Sequence, residues 1–156
     1  MITAESFFDR LSKETMSLVD DFYAADAEFK DPVVHLKGAV EIRAYYTRLY
    51  DTVKSIRFDH GAEFVKGDTI VLPWTMRLVA ALGSGREVVV DGVSVMRRNA
   101  EGKVVYHRDY FDMGQFVYER VFLLGALVRY AKRVLAGPFV KRATCKRPVL
   151  LSFGLI

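Results

Sequence analysis

Residues 103–116 read KVVYHRDYFDMGQF, and this stretch has the period-two pattern of a β-strand. Side chains alternate between the two faces of a strand. One face carries Val105, His107, Asp109 and Phe111, and the other carries Tyr106, Arg108, Tyr110 and Asp112. Val105 and Phe111 make the first face the more hydrophobic one. We therefore predict that His107 and Asp109 point together towards the interior, whereas Asp112 points the other way.

Three segments upstream of this strand show the same period. The breaks between them are KGD at 66–68, GSG at 83–85 and RNAEGK at 98–103, which contain residues typical of turns. The pattern predicts four strands in antiparallel succession, at about 55–65, 69–81, 86–97 and 104–113.

Apolar residues recur at helical spacing at both ends of the chain and before the first of these strands. The clearest helix is predicted by Ile42, Tyr45, Tyr46, Leu49 and Val53. One or two helices are expected from Thr3, a plausible N-cap, to about Tyr23, followed by a short strand that ends at Asp31-Pro32. A further helix is predicted from about 115 to 135, where Gly137-Pro138 stops it.

Helices followed by long antiparallel strands indicate an α+β fold, in which helices cover one face of a curved sheet. Such a sheet encloses a concave space that holds either core side chains or a ligand. With 156 residues, 51% hydrophobic and 13% aromatic, the chain suits one domain with a substantial core.

Several functional classes lack their sequence signals. The single cysteine, Cys145, and the three histidines, His35, His60 and His107, show no metal-ligand spacing, so we expect neither a metal site nor a disulfide. No dinucleotide, Walker or G-x-S-x-G motif is present, and no cofactor is implied. Because the sequence has no run of 18 apolar residues and no signal-peptide pattern, we expect a soluble, cytoplasmic protein.

The net charge of +4 is unevenly distributed. Residues 1–114 carry 15 Lys and Arg against 18 Asp and Glu, whereas residues 115–156 carry 8 against one. Because the acidic part opposes a continuous phosphate footprint, we do not expect a nucleic-acid partner. The basic C-terminal segment fits a membrane surface or an acidic partner better.

Two aspartates are candidates for acid–base chemistry, and each has a structural alternative. Burial disfavours a charged carboxylate, so Asp109 on a buried face is a candidate base or acid, with His107 beside it. The alternative is that Asp109 pairs with His107 or an arginine and only holds the strand. Asp31 before Pro32 is open to a plain interpretation as well, in which its carboxylate accepts backbone N–H bonds in a turn.

The stretches FKDPVVHLKGAVEIRAYYTRLY (29–50) and GKVVYHRDYFDMGQF (102–116), with the order of elements above, resemble the nuclear transport factor 2-like superfamily. This group includes ketosteroid isomerases, limonene-type epoxide hydrolases and SnoaL-like polyketide cyclases. The resemblance covers residues 1–135 and leaves a basic and apolar tail, 136–156. It implies a cone-shaped antiparallel sheet covered by N-terminal helices, an additional C-terminal helix and a homodimer.

The stretch KDPV is similar to the ketosteroid isomerase segment that holds the general base, which Asp31 matches. In those enzymes the base works against an oxyanion hole of a tyrosine and a protonated aspartate. Here Phe7 occupies the tyrosine position, and Ser94 lies at or near the aspartate position.

The stretch RDYFD is closer to the last strand of the epoxide hydrolases, whose Asp-Arg-Asp set matches at Asp109. The other two members of that set fall on Pro73 and Thr75, unless an offset strand lets Arg77 substitute for the arginine. Phe29 and Asp31 stand where that family has a water-binding tyrosine and asparagine.

The resemblance implies a pocket in which Asp109, Asp31 and His107 are the candidate catalytic residues. The expected lining residues are Phe7, Phe29, Tyr45, Thr75, Ser94 and Phe111. The expected ligand is a small apolar molecule of polyketide, terpenoid or steroid type, with isomerase, cyclase or epoxide-hydrolase chemistry. The alternatives are a non-catalytic module for a lipid-like ligand and a dimeric structural module, and the sequence does not decide between enzyme and binding protein.

Overall fold

The computed structural model describes residues 2–81, 85–116 and 122–136. The helices are α1 (Ala4–Arg10), α2 (Leu18–Phe22), α3 (Ala39–Asp51), α4 (Met113–Phe116) and α5 (Phe122–Ala136), with a 3-10 turn at Lys13–Thr15. The strands are β1 (Tyr23–Lys30), β2 (His35–Lys37), β3 (Val53–His60), β4 (Phe64–Lys66), β5 (Thr69–Ala80), β6 (Glu87–Arg98) and β7 (Val104–Phe111). The chain is therefore α+β, as predicted.

The strands form one open, curved sheet in the order β2-β1-β7-β6-β5-β3, with β4 paired to β5. The predicted antiparallel succession is confirmed for β3, β5, β6 and β7. A parallel pairing of β1 with β7, which places Phe29 opposite His107, was not predicted. Because of this pairing, the turn after β1, which begins at Asp31, lies close to the strand that carries Asp109.

Strand β5 shows why one face of the sheet turns inward. Its residues alternate between buried and half-buried along the whole strand, and the buried ones are Ile70, Leu72, Trp74, Met76 and Leu78. This is the period of two that a strand with one covered face requires.

The N-terminal helices pack their aromatic side chains into a shared core. Thr3 caps α1 by accepting a hydrogen bond from the Ser6 amide at 3.2 Å, and Phe7 stacks on Phe22 of α2 with ring centroids 4.0 Å apart. Helix α3 follows Gly38, whose φ of 92° suits glycine, and buries Tyr46 and Tyr50.

Three predicted boundaries differ from the structure. Tyr23 begins β1 instead of ending a helix, and the predicted strand 55–65 is broken by Gly61 into β3 and β4. The predicted helix 115–135 corresponds to α4 and α5, and residues 117–121 between them lie outside the described part. Most of the tail, 137–156, lies outside it as well.

Gly92 on β6 is required because it faces the Trp74 ring across the β5–β6 pair. A Cβ added at Gly92 would lie 2.2 Å from Cη2 of Trp74, which is closer than non-bonded carbon atoms can approach. We expect Gly92→Ala to lower the free energy of unfolding by about 1–3 kcal/mol, as overpacking does. Urea unfolding followed by far-ultraviolet circular dichroism measures this change.

A double-mutant cycle with Trp74→Leu tests the cause. Because leucine leaves room for the new methyl group, Gly92→Ala should cost much less in that background. An equal cost in both backgrounds would contradict the contact with the ring as the origin.

Candidate active site

A cavity of about 370 Å³ lies between the inner face of the sheet and the helices α1, α3 and α4. Most of its wall is aliphatic or aromatic, including Phe8, Phe58, Met76 and Phe111. The side chains with polar atoms in this wall are Asp31, Tyr45, Tyr46, Trp74, Ser94 and Asp109. A mostly apolar cavity with a few convergent polar groups is typical of a small-molecule site.

Asp109 is held by two donors on one carboxylate oxygen. Its Oδ1 accepts the Ser94 hydroxyl at 2.5 Å and His107 Nε2 at 2.8 Å. Ser94 lies directly opposite Asp109 in the β6–β7 register, and His107 lies two residues away on the same face of β7. Within the part of the chain that the structure describes, Oδ2 has no hydrogen-bond partner, and it is the oxygen left to meet a molecule in the cavity.

His107 is completely buried and continues the network away from the cavity. Its Nδ1 lies 2.6 Å from the Tyr23 hydroxyl, which in turn lies 3.1 Å from the Tyr46 hydroxyl. We assign the donating ring nitrogen as Nε2, because every group then has a role: Tyr46 donates to Tyr23, Tyr23 donates to Nδ1, and Nε2 donates to Asp109.

The network ends on the other side at Trp74. The indole Nε1–H donates to the Ser94 hydroxyl oxygen at 2.9 Å, and Ser94 donates onward to Asp109. Both branches of the network, through His107 and through Ser94, therefore donate to the Asp109 carboxylate.

The three tyrosines near this network keep their protons. Burial raises the pKa of Tyr23 and of Tyr46 well above the ordinary value, because water does not reach the phenolate, and the charge of Asp109 acts in the same direction. Burial raises the pKa of Tyr45 too, with its hydrogen bond to Asp31 as the second cause. These hydroxyls therefore act as hydrogen-bond donors and not as bases.

Asp31 has a different environment from Asp109, although both line the cavity. Its Oδ1 accepts the amides of Val33 at 2.6 Å and Val34 at 2.7 Å, and its Oδ2 accepts the Tyr45 hydroxyl at 2.6 Å. Both oxygens are thus engaged in closing the turn after β1 and in tying it to α3. Asp31 therefore has the role in a turn that its position before Pro32 predicts as the structural alternative.

Most of the residues expected around the pocket meet there, and two do not. Phe29, Tyr45, Ser94 and Phe111 line the cavity, and His107 lies behind Asp109. Phe7 is instead fully buried in the helical core against Phe22. The Thr75 hydroxyl donates to Asp91 at 2.7 Å on the opposite face of the sheet, because Trp74 and Met76 take the inward positions of β5.

Arg77 does not replace the missing arginine. It shares the outer face with Thr75 and forms ion pairs with Asp59 at 2.9 Å and Glu87 at 3.3 Å. Among the residues that the structure describes, no arginine lines the cavity.

Three members of the network, Tyr23, Tyr46 and Trp74, were not expected there. The helical pattern at the N-terminus reaches Tyr23, and Tyr46 belongs to the apolar positions of another predicted helix. The alternation of apolar residues along β5 was the available signal for Trp74, since Ile70, Leu72, Trp74, Met76 and Leu78 occupy every second position. No sequence signal connected Tyr23 with His107, which lies 84 residues away.

A sequence profile of the SnoaL-like domain matches residues 4–107, which include all of the fold up to the middle of β7. The chain belongs to the SnoaL-like domain family. None of the curated proteins compared with it matches.

Solved structures have the same fold. This SnoaL-like chain is similar to an NTF2-like protein of unknown function from Exiguobacterium sp. 255-15, with a TM-score of 0.59 and 20% identity over 69% of this chain and 92% of that one. It is also similar to an LEH-like epoxide hydrolase of M. tuberculosis, with a TM-score of 0.63 and 20% identity over 81% and 92%. A third structure, TerC co-crystallised with polyporic acid, has a TM-score of 0.62 and 17% identity over 70% and 88%. At these identities the likeness shows the fold.

Among residues 2–81, 85–116 and 122–136, no three His, Cys, Asp or Glu side chains are grouped so that they could hold a metal ion. None of the described helices has the length and hydrophobicity needed to cross a membrane.

The buried tyrosines predict a distinctive titration. In an unfolded chain tyrosine has a pKa of about 10, whereas Tyr23, Tyr45 and Tyr46 have raised values and the pKa of Tyr50 is raised to about 12 by burial. Because the folded state keeps protons that the unfolded state has lost, the free energy of unfolding should fall as the pH rises above about 10. Absorbance at 295 nm should show only part of the eight tyrosines ionising before the protein unfolds.

A titration in concentrated denaturant serves as the control and should release all eight protons near the ordinary pKa. If all eight ionised in that range while circular dichroism still showed the folded state, the buried network would be wrong.

Proposed function

We propose that this SnoaL-like protein binds a small apolar molecule of polyketide, terpenoid or steroid type and that Asp109 transfers a proton to or from it. The observation that carries the proposal is the asymmetry of the Asp109 carboxylate. Oδ1 is fixed by Ser94 and His107, while Oδ2 has no protein partner among the described residues, in a cavity with an otherwise mainly apolar wall. A fixed carboxylate at the wall of an apolar cavity suits general acid–base catalysis.

The roles in the network follow from contact with the cavity. His107 is completely buried and does not line the cavity, so it positions Asp109 and does not touch the ligand. Tyr23 holds the imidazole in the tautomer that donates to Asp109. Asp31 closes a turn and is not assigned a proton-transfer role, since both of its oxygens already accept hydrogen bonds.

The hydrogen-bond donors near Asp109 limit the class of substrate that could react there. Removing a proton from carbon leaves negative charge on the substrate, which enzymes usually stabilise with hydrogen-bond donors. Here the Trp74 and Tyr45 donors already serve Ser94 and Asp31, and Phe7 lies in the core. We therefore favour a substrate that delocalises this charge itself, such as a β-dicarbonyl carbon acid of the polyketide type.

One base is sufficient for such a reaction. Asp109 Oδ2 takes the proton, and the electron pair of the C–H bond passes into the enolate. Return of the proton to a different carbon completes an isomerisation. Attack of the enolate carbon on a second carbonyl of the same molecule, with protonation of the resulting alkoxide by Asp109, completes a cyclisation. Epoxide hydrolysis is less well supported, since Thr75 and Arg77 both lie on the outer face.

Asp109→Asn tests the proton transfer, because an amide keeps the shape of the side chain and is not a base. With ethyl benzoylacetate in deuterated buffer, the wild-type protein should accelerate the loss of the activated C–H signal in proton nuclear magnetic resonance. The variant should be slower by about 100-fold or more, the usual contribution of a general base.

Asp91→Asn is the matched control, since Asp91 is an exposed aspartate on the outer face that contacts Thr75 and not the cavity. It should exchange at the wild-type rate. Wild-type exchange no faster than in buffer, or an Asp109→Asn variant as fast as wild type, would count against catalysis. Retained binding without exchange would favour the non-catalytic binding module.

Ligand binding has its own reporter, because Trp74 is the only tryptophan of the chain and lines the cavity. We expect apolar carbon acids to change its fluorescence emission in a saturable manner, whereas glucose should leave it unchanged. Trp74→Phe should lose the signal while calorimetry still detects binding. A ligand that binds by calorimetry without any change in emission would place the binding site elsewhere.

The homodimer and the cytoplasmic location expected from the sequence stay predictions. Light scattering in solution measures the first, and the cavity described above is formed within one chain.

A further inference from the structure

Helix α5 has an apolar side that the domain does not cover. Its large exposed side chains are Leu127, Tyr130, Val134 and Leu135, with exposed fractions of 63%, 66%, 61% and 88%. At 3.6 residues per turn these four positions fall within an arc of about 140°. Soluble helices normally turn such a stripe towards the core, so its outward direction calls for a partner.

Three basic residues lie elsewhere on the helix. Arg129, Lys132 and Arg133 lie outside the apolar arc, and the sequence FLLGALVRYAKRVLA contains no acidic residue. Lys132 also reaches the Asp112 carboxylate at 2.9 Å, which connects this side of α5 to the end of β7. Lys132 therefore marks the side of α5 that lies towards the domain, and Arg129 and Arg133 are exposed.

We propose that α5 docks on the surface of an anionic lipid bilayer, with the apolar stripe in the boundary between headgroups and acyl chains. Basic amphipathic helices bind such surfaces through apolar burial together with attraction to acidic lipids. Tyr130 lies at the margin of the stripe, where an apolar ring with a polar hydroxyl suits the interface.

Charge favours a bilayer over a second copy of this chain. A second α5 helix offers no acidic side chain to the basic residues of the first, whereas an acidic bilayer offers headgroups to them. The sequence that follows adds Lys141, Arg142, Lys146 and Arg147, again without an acidic residue. Each of these residues would be attracted by acidic headgroups and repelled by a second copy.

Docking at α5 also suggests a source of the ligand, a consequence that rests on the proposed function. Asp112, the partner of Lys132, is followed directly by Met113 and then by Phe116, both of which line the cavity. A docked α5 therefore holds this wall of the cavity close to the bilayer. An apolar substrate that partitions into lipid would then be supplied from the membrane instead of from water.

Flotation of the full chain with vesicles tests the docking. Wild-type protein should float with vesicles of phosphatidylcholine containing phosphatidylglycerol, and much less with phosphatidylcholine alone or at high salt. The double variant Leu127→Asp/Val134→Asp should partition at least about tenfold more weakly, because it places charge in the buried stripe. Arg133→Gln should weaken partitioning about fivefold, the effect of one basic residue near the surface.

Val65→Asp is the matched control, since Val65 on β4 has the same exposed fraction of 61% as Val134 and lies outside α5. It should float like wild type. Equal flotation of wild type and the double variant, or no flotation of wild type with acidic vesicles, would overturn the proposal. So would a dimer in solution that the double variant dissociates, because a second copy would then cover the stripe.

The Trp74 fluorescence titration is run on the same variants to separate the two proposals. A double variant that binds ethyl benzoylacetate like wild type but fails to float supports docking independently of the cavity. Flotation of wild type with no response of Trp74 to any carbon acid would leave the docking and overturn the proposed source of the ligand.

Discussion

The fully buried imidazole of His107 connects the parts of this domain. Among the described residues each ring nitrogen has one partner, Tyr23 at the start of β1 for one and Asp109 on β7 for the other. Through Tyr46 and Ser94 the network extends to α3 and β6. A buried polar group that loses its partner costs about 1–3 kcal/mol. The positions of four elements are therefore linked by the need to satisfy one ring.

The same network explains why two aspartates in one cavity have different roles. Asp31 accepts hydrogen bonds on both oxygens, from the amides of the turn that it closes and from Tyr45, so both oxygens are engaged within the fold. Within the described residues, Asp109 receives its donors on Oδ1 alone. A site with one available carboxylate differs from the Asp-Arg-Asp set of the epoxide hydrolases and from the base and oxyanion pair of ketosteroid isomerases. Family membership thus describes the scaffold, and the local hydrogen bonds restrict the chemistry.

The domain has two apolar surfaces, one that faces the interior and one that faces solvent. The cavity wall faces inward, where helices α1, α3 and α4 close over the sheet, and the stripe of α5 faces outward. The charges are divided in the same way, since 18 of the 19 acidic residues lie within residues 1–114, the part of the sequence with the sheet and most of its covering helices. A basic segment attached to a slightly acidic domain suits an arrangement in which one end contacts an anionic surface.

The sequence by itself determined what depends on local periodicity. His107 and Asp109 share the inner face of β7, and Ile42 and Tyr46 share the buried face of α3, because the spacing of side chains in strands and helices is a local property. The same alternation shows why the prediction that Thr75 lines the cavity is wrong. Family matching had placed it in the cavity, but a shift of one residue turns a strand over, and the alternation along β5 assigns the inner face to Trp74.

Only the tertiary structure decided which groups meet. Tyr23 reaches His107 across 84 residues because β1 pairs with β7 in parallel, with an irregular register between Tyr23 and Glu28 that no local pattern predicts. Asp31 receives Tyr45 because α3 packs over the end of β1. Such long-range partners decide whether a carboxylate is engaged in protein hydrogen bonds or available to a ligand. Packing and strand register determine these partners, and the neighbouring residues in the chain do not.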